Sequence, residues 1–157
     1  MRDKKTNAMR ELDRVGEWYE AHWFECPEAL SGVEVARLLD ENPDRVFKTL
    51  VTVGKSGSYY VFMVPVAAEL DLKKAAGVVS EKSLSMIRQK ELLGLTGYVH
   101  GGCSPLGMKK RFTTVIDETA ILYETVIFSG GRIGCQIETS LASLQKALPV
   151  QVADLVV

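Results

Sequence analysis

Apolar residues recur at helical spacing at Met9, Leu12 and Val15. Thr6 or Asn7 can cap the helix they predict, which runs to about Val15 and ends at Gly16. Trp18, Tyr19, Trp23 and Phe24 then predict a strand with aromatic packing within 17–26. Ser31 precedes a short helix over 33–39, closed by Asn42-Pro43. Two apolar stretches, 46–53 and 59–66, read as strands, and Gly54-Lys55-Ser56-Gly57-Ser58 between them marks a hairpin. Helices are predicted over 69–76, with Gly77 at the end, and over 81–93. Strands are predicted at Tyr98 and over 113–116, 122–128 and 133–138. Ser140 caps a helix running to Leu148, Pro149 stops it, and 150–157 forms a closing strand.

Strands outnumber helices in this reading, hairpins dominate, and no regular strand–helix–strand alternation exists. A doubly wound parallel sheet is therefore disfavoured, and a mixed α/β fold on a curved, barrel-like mixed or antiparallel sheet with surrounding helices is expected. A chain of 157 residues without linker or repeat reads as one domain over 1–157. The charged N-terminus and the lack of an apolar run of about 18 residues predict a cytoplasmic protein with no membrane partner. The cysteines, Cys26, Cys103 and Cys135, are odd in number and lack a Cys-x-x-Cys pair, so reduced and mostly buried thiols are expected. A net charge of −1 argues against gripping nucleic acid by electrostatics alone. Local basic clusters do stand at Arg2-Asp3-Lys4-Lys5, Lys73-Lys74 and Lys109-Lys110-Arg111.

Three features carry candidate chemistry. The stretch TGYVHGGCSPLGMKKR (96–111) sets flexible Gly101-Gly102 beside a stiff Ser104-Pro105 step and three cations. It suits an anion or a developing oxyanion, and equally an ordinary turn before a solvated strand. Ser129-Gly130-Gly131 places a hydroxyl beside paired glycines in what reads as a second turn, for which a plain hairpin is the bland account. Lys48 shares one face of a largely apolar strand with Val46 and Leu50, opposite Phe47, Thr49, Val51 and Val53. Its ammonium either snorkels to water or lines a pocket and meets a ligand oxygen. His22 and His100 sit in no hydrolase motif. His100-x-x-Cys103 offers at most two metal ligands, so no metal or cofactor is expected; Cys103 beside His100 is also a candidate nucleophile.

In combination these segments resemble the YbaK/EbsC family of bacterial Cys-tRNA(Pro) deacylases, related to the editing domain of bacterial prolyl-tRNA synthetases. The resemblance runs from about residue 5 to the C-terminus. It is carried by Lys5-Thr6-Asn7-Ala8-Met9-Arg10, Val46-Phe47-Lys48-Thr49-Leu50-Val51, Pro65-Val66 and Glu69-Leu70-Asp71-Leu72-Lys73-Lys74. Thr96-Gly97-Tyr98-Val99, Gly101-Gly102, Ser104-Pro105-Leu106-Gly107 with Lys109-Lys110, and Ser129-Gly130-Gly131 complete it. The family implies an aminoacyl-tRNA deacylase that clears cysteine from tRNA(Pro), with prolyl-tRNA synthetase as a partner. A monomer is expected, although the chain itself carries no signal of oligomeric state. The family implies Lys48 as the essential lysine and Gly101, Gly102, Ser104, Ser129 and Gly130 as substrate-binding positions. It also implies that the substrate's own thiol attacks the ester, so that the protein supplies geometry and oxyanion donors rather than a nucleophile. Two positions depart from the family pattern. Phe24 or Trp23 stands where members often carry tyrosine, and Gln136, with Glu138 after it, stands where some carry an acidic residue. Deacylation of Ala- or Ser-tRNA and a non-catalytic tRNA- or synthetase-binding module are the competing readings.

Overall fold

The computed structural model describes residues 4–25 and 29–157. Thr6 caps α1 (Asn7–Arg14) by accepting from the Met9 N–H, and Ala8, Met9 and Leu12 bury the face that the apolar spacing marked. β1 (Glu20–Trp23) follows; Cys26, at the end of the predicted aromatic strand, lies outside the described residues. Ser31 and Glu34 form a reciprocal capping box that starts α2 (Gly32–Leu38). β2 (Phe47–Gly54) and β3 (Tyr59–Pro65) make the expected antiparallel hairpin. Asp71 accepts from the Lys73 and Lys74 N–H groups and so delays α3 (Leu72–Val78) past the predicted start.

The predicted helix over 81–93 is instead β4 (Leu84–Met86) followed by α4 (Gln89–Thr96). The cause is tertiary. The Glu81 carboxylate accepts from the Ser56 and Tyr60 hydroxyls, which pins the segment to the hairpin, and β4 then pairs with the end of β2. Tyr98 is not in a strand. It is a buried post whose hydroxyl donates to the Leu106 carbonyl at 2.6 Å, holding the 104–107 loop. β5 (Thr113–Asp117) leads into a 3-10 turn at Glu118–Leu122, where a strand had been expected to start. β6 (Val126–Arg132) contains Ser129-Gly130-Gly131 as an irregularity in its pairing, and the turn itself is Ile133-Gly134 before β7 (Cys135–Thr139). Ser140 caps α5 (Leu141–Ala147), and β8 (Val150–Ala153) ends the regular structure.

The strands of the described residues form two sheets. One is antiparallel in the order β1-β7-β6; the other runs β4-β2-β3-β5-β8, with β5 parallel to both β3 and β8. An isolated parallel bridge between Val46 and Ile127 joins them. The fold is thus mixed α/β as expected, and the pairings among the described residues do not close a ring. The main core packs α1 and α5 on the small sheet through Leu12, Phe128, Ile137 and Leu144. A second packs α3 on Phe62, Val64 and Val115. Among the described residues no helix is long and apolar enough to cross a membrane.

Candidate active site

Strand β2 has a half-empty edge. Val66 donates its N–H to the Val46 carbonyl and Gly54 to that of Ser58, so even-numbered residues of β2 bond to β3. Odd-numbered residues turn their peptide groups the other way, where Val51 accepts from the Ile87 N–H and β4 pairs only with Thr52 to Gly54. On that side the Val46–Ile127 bridge ties the start of β2 to the small sheet, and Thr49, between that bridge and β4, borders a cleft with room for about 360 Å³. The start of α2 (Ser31, Gly32 and Val33) forms one wall and His100, Gly101 and Cys103 another. Ser129 and Gln136 reach in from the small sheet.

Lys48 lines this cleft beside Val46, Leu50 and Val66. Its ammonium makes no hydrogen bond or ion pair among the described residues, and its cross-strand neighbour, Val64, is fully buried. Burial holds its ammonium below the ordinary lysine pKa, opposed by the more distant Glu69 carboxylate. This is a cation whose apolar surroundings leave it ready for a ligand oxygen. Thr49, the following residue, turns its side chain to the opposite face of β2, and its hydroxyl oxygen is buried with no hydrogen-bond partner among the described residues. Gln136, only 7% exposed, likewise has no partner for its amide among the described residues and turns into the same space.

The glycine loops divide into contact and support. The Val99 carbonyl accepts from the Gly102 N–H at 3.0 Å, and Gly101 takes φ +87°, the third position of a tight turn where glycine avoids strain. A Cβ at Gly101 would also lie 2.7 Å from that of Ala29. Gly102 is buried and does not line the cleft; a Cβ there would stand 3.0 Å from the Ile133 nitrogen, so the turn presses on the β6–β7 connection. Ser104 is also buried and outside the cleft lining, with its Oγ accepting from the Leu106 N–H at 3.3 Å. Ser129 lines the cleft, its Oγ accepting from the Gly131 N–H at 3.2 Å. Gly130 lies behind it, where a Cβ would sit 2.5 Å from the Cys135 Sγ. Lys48, Gly101 and Ser129 thus meet in one cleft, while Gly102, Ser104 and Gly130 shape its walls from behind.

Burial pushes the Cys103 thiol up to about 12, and no hydrogen bond joins it to His100, so it stands as a neutral thiol rather than a thiolate nucleophile. Trp23 packs into the core beside Cys135, Phe24 donates its N–H to the Gly134 carbonyl, and neither lines the cleft. Glu138 lies outside it as well. Its Oε2 accepts from Thr125 Oγ1 at 2.6 Å and from Arg45 Nη1 at 3.2 Å, its Oε1 lies 2.8 Å from His22 Nε2, and Arg45 is held by Glu41 at 2.7 Å. Glu20, His22 and Glu138 bring metal-type ligand atoms within 4.8 Å of one another, but both Glu138 oxygens already serve this network.

The family described as "Aminoacyl-tRNA editing domain" matches residues 26–147. The chain belongs to that family. It is 40% identical over 153 residues to an Enterococcus faecalis protein named "Putative Cys-tRNA(Pro)/Cys-tRNA(Cys) deacylase EbsC", covering 97% of this chain and 93% of that one. A solved structure described as "a putative trans-editing enzyme for prolyl tRNA synthetase" superposes with a TM-score of 0.84 at 26% identity, over 98% of this chain and 99% of the other. The hypothetical protein APE2540 shares the fold, at a TM-score of 0.88 and 23% identity, covering 97% of this chain and all of that one. In this editing domain the cleft joins an unpaired ammonium to hydroxyl, amide and backbone groups around a partly dry space. That set can orient a polar ester and stabilise negative charge on its carbonyl oxygen. Thr49 was not read from the sequence as a site residue. Its signal, a buried hydroxyl left without a hydrogen-bond partner, exists only once the packing is known.

Proposed function

We propose that the protein is a trans-acting editing enzyme that deacylates mischarged Cys-tRNA(Pro) in the cytoplasm, working beside prolyl-tRNA synthetase. The carrying observation is that Lys48, whose ammonium has no ion-pair partner among the described residues, lines one cleft together with Gly101 and Ser129. The cleft is roomy enough for an aminoacyl group and its ribose. Lys48 contacts the oxygens at the ester, and Gly101 and Ser129 border the aminoacyl group. Thr49 and Gln136 supply the polar contacts their unpaired groups require. Gly102, Ser104 and Gly130 act from behind by fixing wall shape. The neutral Cys103 thiol favours a reaction in which the substrate brings the nucleophile. The cysteinyl sulfur attacks its own ester carbonyl and forms a carbon–sulfur bond. The ester carbon–oxygen bond then breaks, and the proton lost from the thiol ends on the ribose hydroxyl. The products are a small cyclic thioester and free tRNA, and the protein holds the near-attack geometry.

Purified protein given Cys-, Ala- and Ser-tRNA(Pro) in parallel tests this reading, with release of free tRNA as the signal. Rapid release from Cys-tRNA(Pro) is expected. Turnover of the alanyl or seryl ester alone would replace the substrate, and no release from any of the three above the uncatalysed rate would leave a binding module. Cys103→Ala retains most activity under this mechanism. A loss as deep as that of Lys48→Ala would return Cys103 to the role of nucleophile.

A further inference from the structure

The near-zero net charge hides a strong division. Residues 82–111 carry six cations, Lys82, Arg88, Lys90, Lys109, Lys110 and Arg111, against one carboxylate, Glu91, while the rest of the chain carries 13 cations and 19 carboxylates. This segment is one wall of the cleft, since it supplies Leu92, His100, Gly101 and Cys103 to the lining. Elsewhere cations are commonly neutralised in place, as in Lys5–Asp13, Arg45–Glu41, Lys74–Asp154 and Lys146–Glu17. On this wall Arg88 holds Glu91 and Arg111 donates to the Ala147 carbonyl. Lys90, Lys109 and Lys110 are exposed and form no ion pair with any described carboxylate. Lys109 lies along Gly97 at the end of α4 and donates its backbone N–H to Thr96, which ties the basic loop to the helix. Between these cations Leu93 and Val99 are about half exposed, apolar ground that a ribose or base can cover.

We propose that this wall seats the nucleic-acid part of the substrate. Lys90, Lys109 and Lys110 take backbone phosphates of the acceptor strand while its esterified end enters beside Gly101. The proposal rests on the deacylase reading above and adds to it the surface that recognises RNA. Phosphate contacts of this kind position a ligand and are dominated by counterion release, so they appear as salt dependence and as KM rather than kcat.

The test is the triple variant Lys90→Glu/Lys109→Glu/Lys110→Glu, compared with Lys55→Glu/Lys73→Glu as a control of similar chemistry outside the wall. Deacylation is followed on Cys-tRNA(Pro) and on the cysteinyl ester of adenosine, which has no phosphodiester, and binding of uncharged tRNA(Pro) is measured in parallel. The wall variant should raise KM for the tRNA about tenfold or more at low salt and flatten the log–log salt dependence by about two to three. Its kcat, and its kinetics on the adenosine ester, should match wild type, as should the control on both substrates. Unchanged tRNA kinetics and binding would overturn the proposal, as would equal losses on both substrates or the same loss in the control. Loss of synthetase binding with intact tRNA binding would assign the wall to the protein partner instead. If wild-type protein deacylates neither substrate, the deacylase reading fails. Weaker tRNA binding by the wall variant would then still support the surface, and unchanged binding would overturn it.

Discussion

Replacing Lys48 separates the chemical and the structural accounts of the β2 strand. The ammonium sits among Val46, Leu50 and Val66 without a hydrogen-bond or ion-pair partner among the described residues, so Lys48→Met removes no described contact of that kind and fills the same apolar space. Its removal from a substrate complex would lose one charge-assisted hydrogen bond in a partly dry cleft. That is worth about 1.5–3 kcal/mol, or about ten- to a hundredfold in rate, and more if the group also aligns the ester. Lys48→Arg should fail comparably, because a planar guanidinium does not reproduce a compact ammonium on this wall. Stability should move the other way. With its folded pKa held below 10.5, Lys48 binds fewer protons in the folded chain than in the unfolded one between those two values. Wild-type stability therefore gains from this group as pH rises through that window, and Lys48→Met should lose the gain while melting no lower than wild type near neutrality. The assays are single-turnover release of tRNA from Cys-tRNA(Pro) and thermal melts across pH 7 to 11. An activity loss no larger than the loss of folded protein, with a lowered melting temperature at pH 7, would refute the reasoning and make Lys48 structural.

Three further outcomes probe the surroundings. Thr49→Val keeps the shape of a side chain whose buried hydroxyl lacks a partner; it should leave stability unchanged or higher and raise KM in deacylation assays. Gly130→Ala would drive a methyl to 2.5 Å from the Cys135 sulfur; the resulting overpacking should cost about 1–3 kcal/mol in denaturant melts and displace Ser129, lowering activity as well. Glu138 has its pKa held down, because hydrogen bonds from Thr125, His22 and Arg45 outweigh the burial that works to raise it. Its stabilisation is full above the ordinary carboxylate value and lost as pH falls through the lowered one. Glu138→Gln should therefore cost about 1–3 kcal/mol at pH 7, and the gap from wild type should narrow in acid melts.

Much of this architecture was legible because its signals are local. The capping residues Thr6, Ser31 and Ser140 lie where the sequence puts them, and the 54–58 hairpin needs only its own turn residues and flanking apolar strands. The misread elements are those whose conformation is set from far along the chain. Residues 81–93 have helical composition, yet Glu81 is captured by Ser56 and Tyr60 and the strand edge of β2 claims Leu84 to Met86. Tyr98 has the β propensity of an aromatic residue but spends it as a buried post, with Gly107 and Gly131 giving up side chains to make room for its ring and hydroxyl.

The same division explains the site. Sequence patterning isolates Lys48 because a charge on a two-sided apolar strand is costly wherever the strand goes, and that cost needs no partner to be visible. Paired glycines announce only that a backbone must bend or approach something closely. Gly101 and Ser129 meet the cleft, whereas a Cβ at Gly102 would crowd the Ile133 backbone and one at Gly130 would clash with the Cys135 sulfur. Both causes write the same letters in the chain, so contact and support separate only when the packing is seen. Thr49 and Gln136 carry the opposite lesson. Their side chains are ordinary in a strand; what marks Thr49 is a buried hydroxyl whose hydrogen bond the fold leaves unmade, and what marks Gln136 is a place in the cleft lining with no described partner for its amide. A buried polar group without a partner is a cost the folded chain carries until a ligand arrives. Under the proposed function, that cost makes Thr49 a group for the bound ester to satisfy.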